Sequence, residues 1–160
     1  MLAGATGLVG RALLPLLLQQ PAYGRVHVLL RRAASGIEAH AKLQLHQVDF
    51  HHLVRLPAVD DVYITLGTTI KVAGSEAAFR QVDLDFVVET ARAAREAGAK
   101  RIAVVSALGA DARSKVFYNR VKGQMQDAVA ALCYDCVTIA QPLLLIGDRA
   151  VLGQPARPGE

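Results

Sequence analysis

The sequence predicts an α/β fold in which a doubly wound parallel sheet carries helices on both faces. Short apolar runs rich in β-branched residues alternate with longer helical patterns, and a glycine-rich turn follows the first of those runs. Strand–helix–strand alternation with right-handed crossovers produces such a sheet. No linker or internal repeat divides the 160 residues, so we expect one domain over residues 1–160.

Six strands are predicted. The first is the stub Met1–Ala3, which would form the centre of the sheet although strands usually have about five or six residues. The other runs have the β-branched composition typical of strands buried on both faces. They are predicted at Arg25–Leu30, Leu43–Val48, Asp61–Leu66, Arg101–Val105 and Cys136–Ala140.

Three helices lie between these strands, at about residues 8–20, 75–97 and 114–131. The second has apolar and small residues at helical spacing, and Gly98 stands where a C-terminal cap is expected. Residues 153–160 have a loop composition. Together with the short first strand, they lead us to expect a chain truncated at both ends.

Composition excludes several classes of protein. With 52% apolar and 20% charged residues, the chain can build a core. The longest apolar run, Ala12–Leu18, is far shorter than the roughly 20 residues of a membrane span, so no membrane partner is expected. No signal-peptide pattern is present, which predicts a cytoplasmic protein with reduced thiols at Cys133 and Cys136. A net charge of +4 without any run of five like charges predicts no nucleic-acid partner.

The glycine-rich turn contains Gly4, Gly7 and Gly10 between the first strand and the first helix. Glycines allow a tight turn and a close approach to a pyrophosphate, and the free N–H groups of a helix start favour anions. A purely structural turn is the alternative, because this spacing also arises by chance. The strand before the turn and the helix after it favour a dinucleotide site.

Residues at the end of the second strand select the nucleotide. NAD sites place an acid there, whereas NADP sites place Arg for the 2′-phosphate. Arg31 and Arg32 follow Leu30, and no acid occurs before Glu38. Guanidinium groups bind phosphate with paired hydrogen bonds. The sequence therefore favours NADP(H) over NAD(H), with a pair of solvated arginines as the alternative.

A candidate catalytic set is formed by Ser106, Tyr118 and Lys122. Ser106 ends a strand at the edge where open α/β sheets bind ligands, while Tyr118 and Lys122 share one helix face. A nearby ammonium lowers the pKa of a phenol, which then serves as a general acid or base. Ser106 could donate a hydrogen bond to the substrate oxygen. An ordinary amphipathic helix is the alternative for Tyr118 and Lys122.

These features resemble the atypical short-chain dehydrogenase/reductases, and in particular the Tat-interacting-protein-like oxidoreductases and their bacterial relatives. Beside the glycine turn, the resemblance rests on Leu66–Lys71, Ala77–Asp83, Ser106, Ser114–Gly123 and Pro142. It implies a Rossmann-type fold that binds NADP(H), with Ser106, Tyr118 and Lys122 as the catalytic set. Two departures stand out: Gln141 occupies a position where many relatives carry Arg, and the chain lacks the segment that would close the substrate pocket.

The resemblance also implies which residues would contact the cofactor, with Tyr118 and Lys122 among them. The expected contacts are Gly4, Thr6, Gly7, Leu8, Val9 and Gly10 for the pyrophosphate, Arg31 and Arg32 for the 2′-phosphate, Asp49 and Phe50 for the adenine, Leu66, Gly67, Thr68 and Thr69 for the ribose, and Pro142 to Leu145 for the nicotinamide.

No metal site is expected. The five histidines are spread over two strands and a loop, whereas a metal needs three or four converging ligands. The pair Cys133 and Cys136 follows a helix rather than preceding one, so ordinary reduced thiols are the preferred interpretation.

Two functions therefore remain open. The first is an NADP(H)-dependent oxidoreductase that moves hydride to or from a small carbonyl compound or alcohol. The second is an NADP(H)-binding regulatory module that acts through a protein partner with little or no catalysis. The sequence does not identify the small-molecule substrate or the oligomeric state.

Overall fold

The computed structural model describes residues 1–33, 36–143 and 145. Its six strands are β1 (Leu2–Ala3), β2 (Val26–Leu30), β3 (Leu43–Gln47), β4 (Asp61–Ile64), β5 (Arg101–Val105) and β6 (Cys136–Ala140). They form one sheet in the order β3-β2-β1-β4-β5-β6, and every neighbouring pair is parallel. The predicted doubly wound α/β fold is confirmed.

The helices are α1 (Leu8–Gln19), α2 (Ile70–Ala73), α3 (Glu76–Arg80), α4 (Phe86–Glu96) and α5 (Phe117–Ala130), with a π-helical segment over Gln81–Asp85. The predicted helix over residues 75–97 therefore consists of three consecutive pieces. Ser75 caps its start by accepting a hydrogen bond from the N–H of Ala78, and Gly98 follows its end with a φ of 104°. Apolar periodicity locates such a helix but does not reveal a wider turn within it.

The short β1 lies at the centre of the sheet, as predicted. Leu2 is paired with Val28 of β2 and with Tyr63 of β4. Successive side chains of a strand point to opposite faces. Leu2 accordingly belongs to the core cluster under α1, and Ala3 belongs to the cluster on the other face. Two residues are therefore enough to join the two halves of the sheet.

Helices cover the sheet on both faces. On one face, Leu14 and Leu17 of α1 pack with Val28 and Leu30 of β2. On the other, α3, the π-helical segment, α4 and α5 form a larger core with β4 and β5. Burial of apolar area on this scale is the main force that holds helices on a sheet.

Two predictions about burial and boundaries need correction. Alternate residues of β6 and most of β3 are exposed, because these strands form the two edges of the sheet rather than its interior. Helix α5 begins at Phe117, three residues later than expected, because Ser114 accepts a hydrogen bond from the N–H of Val116 in a turn before the helix. The predicted loop over residues 153–160 lies outside the described residues. Within the described part of the chain, the longest apolar helices are too short to cross a membrane.

Candidate functional site

A cavity of about 520 Å³ opens at the carboxyl edge of the sheet. It is lined by segments that follow β1, β4, β5 and β6, together with Tyr118 and Lys122 near the start of α5. Ligands of open α/β sheets bind at this edge, where the strand order reverses. Because β1 lies between β2 and β4, the reversal point falls at the glycine-rich turn.

The glycine-rich turn is too tight for larger residues at two positions. Gly4 has a φ of 93°, and a Cβ there would lie 2.6 Å from the carbonyl carbon of Thr65. A Cβ on Gly10 would lie 2.1 Å from the oxygen of Gly4. These glycines bring the start of α1 against the end of β1, which is the packing that the dinucleotide motif requires.

The start of α1 faces the cavity through Gly7, Leu8 and Val9. Gly7 is the N-cap residue, has no side chain to cap the helix, and no acid lies in the first turn. The first N–H groups of a helix lack internal partners and carry partial positive charge. This end of α1 can therefore accept an anionic group without competition from a carboxylate.

A buried ion pair lies beneath the segment that follows β4. The ammonium of Lys122 is 2.8 Å from Asp83 Oδ1, and both side chains are at least 95% buried. The N–H of Thr68 donates to Asp83 Oδ2 at 2.8 Å. Gly67 lies over the pair, since a Cβ there would be 3.4 Å from Oδ1. The carboxylate thus connects the loop after β4 to α5.

Sequence reasoning missed Asp83, although a signal was present. Asp83 is spaced three, four and seven residues before Phe86, Val87 and Thr90, which places a charge among core-facing positions. It lies in the π-helical segment, and such wider turns often occur at functional sites. Burial raises the pKa of the Asp83 carboxyl above its usual value, while Lys122 and the Thr68 N–H oppose that shift.

Ser106 is held by a second pair of residues that sequence reasoning missed. Its buried Oγ accepts a hydrogen bond from Nε2 of Gln126 at 2.6 Å. Gln126 in turn accepts one from Nε2 of Gln141 at 3.2 Å. Because Gln126 supplies the hydrogen in its bond to Ser106, the serine hydroxyl can donate its own hydrogen into the cavity. Gln141 therefore helps to hold Gln126 against Ser106.

Tyr118 lies half-buried on α5, one turn before Lys122. Its ring packs on the fully buried Phe79, with the ring centroids 5.4 Å apart. The same cavity is lined by Ser106, Tyr118 and Lys122. The structure thus brings the three predicted catalytic side chains to one cavity, where Ser106 follows β5 while Tyr118 and Lys122 lie on α5.

Most of the predicted cofactor residues line this cavity as well. They are Gly7, Leu8, Val9, Leu66, Gly67, Thr68, Thr69, Tyr118, Lys122, Pro142 and Leu145. Gly4 and Gly10 do not line the cavity but give the turn its shape. Thr6 lines a separate cavity of about 490 Å³ beside α1. Leu144, within the predicted nicotinamide stretch, lies outside the described residues.

The residues predicted to hold the adenosine end lie outside the cavity. Arg31 and Arg32 are exposed directly after β2, and Asp49 is exposed after β3. Phe50 is buried in the core, with its ring centroid 5.8 Å from that of Phe86. Its ring therefore contributes to packing. Neither Cys133 nor Cys136 is paired, and within residues 1–33, 36–143 and 145 no three metal-ligating side chains converge.

The fold and the cavity define a Rossmann-type dinucleotide-binding domain. A family model described as NAD(P)H-binding matches residues 4–135. Among the described elements, the match covers the glycine turn, the helices and four of the six strands, β2 to β5. The chain therefore belongs to this family of NAD(P)H-binding proteins.

Several proteins of known name are similar to the chain in sequence. The chain is 34% identical over 152 residues to "Protein FMP52, mitochondrial" of Candida albicans, with 91% of this chain and 66% of the relative covered. It is 32% identical to the protein of the same name in Emericella nidulans, covering 99% of this chain and 70% of the relative. It is 35% identical to "Protein HTATIP2" of Rattus norvegicus, covering 98% of this chain and 65% of the relative. The chain spans about two thirds of the length of these relatives.

Solved structures support the fold alone. The chain superposes on MoeE5 in complex with UDP-glucose and NAD with a TM-score of 0.70 at 15% identity, covering 88% of this chain and 52% of MoeE5. A UDP-glucuronic acid 4-epimerase from Bacillus cereus, in complex with NAD, gives a TM-score of 0.68 at 13% identity, with 88% and 55% covered. The chain thus spans about half the length of these enzymes.

The predicted cytoplasmic location is wrong by these comparisons, because the fungal relatives are named as mitochondrial proteins. The prediction rested on the absence of a secretory signal pattern. Such a pattern reports only on the secretory route, and other compartments use different signals.

Proposed function

We propose that this chain is an NADP(H)-dependent oxidoreductase that reduces a carbonyl group or oxidises the corresponding alcohol. The observation that carries the proposal is the shared cavity. Ser106, Tyr118 and Lys122 line the same space as the start of α1. A phenol and a hydroxyl beside a dinucleotide-binding turn supply an acid and a hydrogen-bond donor for hydride transfer to a carbonyl, and the ammonium supplies further hydrogen-bond donors.

The residues present fit the cofactor. Gly4 and Gly10 shape a turn that a Cβ would fill, and the uncapped start of α1 at Gly7 suits the pyrophosphate. Arg31 and Arg32 are exposed at the end of β2, no acid follows them in the sequence before Glu38, and they suit a 2′-phosphate. When bound, the reduced cofactor supplies the hydride for the reaction.

Within the reaction, Tyr118 donates its phenolic proton to the carbonyl oxygen while the carbonyl carbon receives the hydride. Ser106 donates a hydrogen bond to the same oxygen as negative charge builds on it. Solvent then reprotonates the tyrosine. In the reverse direction, the phenolate would remove the proton of the alcohol, and the oxidised cofactor, when bound, would accept the hydride from the carbinol carbon.

The ion pair changes the role that Lys122 can have. An isolated ammonium would lower the pKa of a neighbouring phenol, but a carboxylate at 2.8 Å offsets much of that effect. We therefore assign Asp83 to hold the ammonium in place. In this arrangement, Lys122 contributes mainly through its hydrogen-bond donors.

The test is the variant Tyr118→Phe, assayed for NADPH oxidation with a panel of simple aldehydes. Loss of a positioned proton donor is expected to lower kcat by about a hundredfold or more, while NADPH affinity changes by less than about tenfold. Tyr63→Phe is the matched control, because Tyr63 is also half-buried but lies outside the cavity.

Unchanged turnover in Tyr118→Phe would contradict the catalytic assignment. Firm NADPH binding by the unaltered protein, with no turnover of any aldehyde or alcohol, would instead favour the regulatory module that acts through a protein partner. Measuring binding and turnover on the same samples separates these outcomes.

A further inference from the structure

Part of the cavity lining consists of large apolar side chains that are exposed to solvent, and these side chains form the apolar mouth of the cavity. Of the eight large apolar side chains that are exposed within the described residues, four line this one cavity: Ile70, Val72, Leu108 and Leu143. Single exposed apolar residues are normal on a protein surface, whereas a cluster around a cavity marks a binding site.

The apolar side chains are held by defined local structure. Ile70 and Val72 lie on α2, which Thr69 caps by accepting a hydrogen bond from the N–H of Val72 at 3.1 Å. The N–H of Leu108 donates to the oxygen of Pro142 at 3.0 Å, which joins the loop after β5 to the loop after β6. The mouth is therefore built by three segments that converge from different strands.

Charge is missing from the same space. Among the described residues that line the cavity, the only charged side chains are Asp83 and Lys122, and they form the buried pair described above. A carboxylate or phosphate on a substrate would therefore have to give up water without gaining a free cation. Desolvation of an unpaired charge is strongly unfavourable.

Because the mouth is apolar and the two charges of the lining are paired with each other, we infer that the substrate is an uncharged, apolar carbonyl compound or alcohol. Its hydrocarbon part would lie against Ile70, Val72, Leu108 and Leu143. This inference rests on the proposed oxidoreductase function. Ser106 and Tyr118 would bind the oxygen at the inner end, and the chain or ring of the substrate would extend toward the mouth.

The experiment is a homologous series. Reduction of propanal, pentanal and heptanal is followed with saturating NADPH and the whole chain. Burial of a methylene is worth up to about 0.8 kcal/mol, which corresponds to a factor of about four, and a partly open mouth should yield at least about twofold per methylene in kcat/KM. Carboxybenzaldehyde should be reduced at least about tenfold less efficiently than benzaldehyde.

A pair of matched variants locates the effect. Leu108→Ser should lower the ratio of kcat/KM for heptanal over propanal by about threefold, since part of the contact with the longer chain is lost. Leu16→Ser is the control, because Leu16 is 63% exposed and Leu108 is 56% exposed, yet Leu16 lies outside the cavity. The ratio should stay unchanged in Leu16→Ser.

A binding measurement keeps the inference testable without turnover. Calorimetry on the NADP⁺-loaded protein with propanol, pentanol and heptanol should show affinity rising with chain length.

If affinity rises with chain length while no aldehyde is reduced, the apolar site stands and the oxidoreductase proposal fails. If aldehydes are reduced but chain length has no effect, or if the carboxylated aldehyde is preferred, the apolar substrate class is wrong and the oxidoreductase proposal stands. If neither rates nor affinities depend on chain length, the apolar mouth is not a substrate site.

Discussion

At the scale of single residues, Asp83 and Lys122 are the pair on which the site depends most. Both side chains are almost fully buried, and each is the other's counter-charge. Removing one member of such a pair leaves an uncompensated charge in the interior, which is usually more damaging than replacing both. Stability measurements can therefore detect the pair without any knowledge of the substrate.

Asp83→Asn is expected to lower the free energy of unfolding by about 3 kcal/mol, because Lys122 remains buried without a carboxylate. The double variant Asp83→Asn with Lys122→Met should be less damaged than the sum of the two single variants, by at least about 1 kcal/mol. Urea unfolding of the four proteins provides this cycle. Strictly additive losses would show that the two side chains do not interact.

At the scale of elements, strands β2 and β3 are connected by a histidine pair as well as by backbone hydrogen bonds. His27 Nδ1 lies 2.9 Å from His46 Nε2, and His27 is 6% exposed. At that separation one ring donates and the other accepts, so the accepting ring is neutral. Burial lowers the pKa of His27, as do the neighbouring charges of His46, the Met1 amino group and Arg25.

The sign of the resulting pH dependence follows from linkage. In the unfolded chain, His27 takes up a proton below about pH 6.5, while in the folded chain it stays neutral to a lower pH. The free energy of unfolding should therefore fall as the pH drops below about 6.5 toward the folded pKa. His27→Gln should flatten this part of the curve in urea unfolding at a series of pH values.

His52→Gln is the control for that series, because His52 is an exposed histidine in the loop after β3. Its curve should follow that of the unaltered protein. A curve for His27→Gln that keeps the full slope below about pH 6.5 would assign the pH dependence to other groups.

The elements also show what the sequence could reveal and what it could not. Strands β5 and β6 begin and end where their β-branched runs predict, since β-branched side chains pack well on a pleated sheet both in its interior and at its edge. The π-helical turn at Gln81–Asp85 was not predicted, because it keeps the apolar pattern on both sides and changes only the local pitch. The buried position of Asp83, which lies in this turn, was therefore not predicted either.

The site residues likewise fall into those that the sequence predicts and those that it does not. Ser106, Tyr118 and Lys122 could be predicted because strand ends and helix spacing bring them to one edge of the sheet. Two hydrogen bonds, from Gln126 to Ser106 and from Gln141 to Gln126, join the end of β5, helix α5 and the end of β6. Their spacing in the sequence carries no pattern. Such cross-element hydrogen bonds depend on tertiary packing, which one sequence does not specify.

At the scale of the whole molecule, the proposed function places a pyridine dinucleotide along the carboxyl edge of the sheet. Its pyrophosphate would lie at Gly7, its reactive ring near Tyr118, and its 2′-phosphate at Arg31 and Arg32. The family match establishes NAD(P)H binding as the class. The two exposed arginines are the basis for the choice of NADP(H) within it.

Calorimetric titration of the chain with NADPH and NADH, side by side, tests this claim most directly. We expect NADPH to bind at least about tenfold more tightly, because guanidinium–phosphate hydrogen bonds are among the strong ones. Arg31→Ala should weaken NADPH binding by about tenfold and leave NADH binding unchanged. Arg25→Ala, an exposed arginine just before the opposite end of β2, should change neither. Equal affinity for the two nucleotides would contradict the role of the arginines, and no binding of either would contradict the account as a whole.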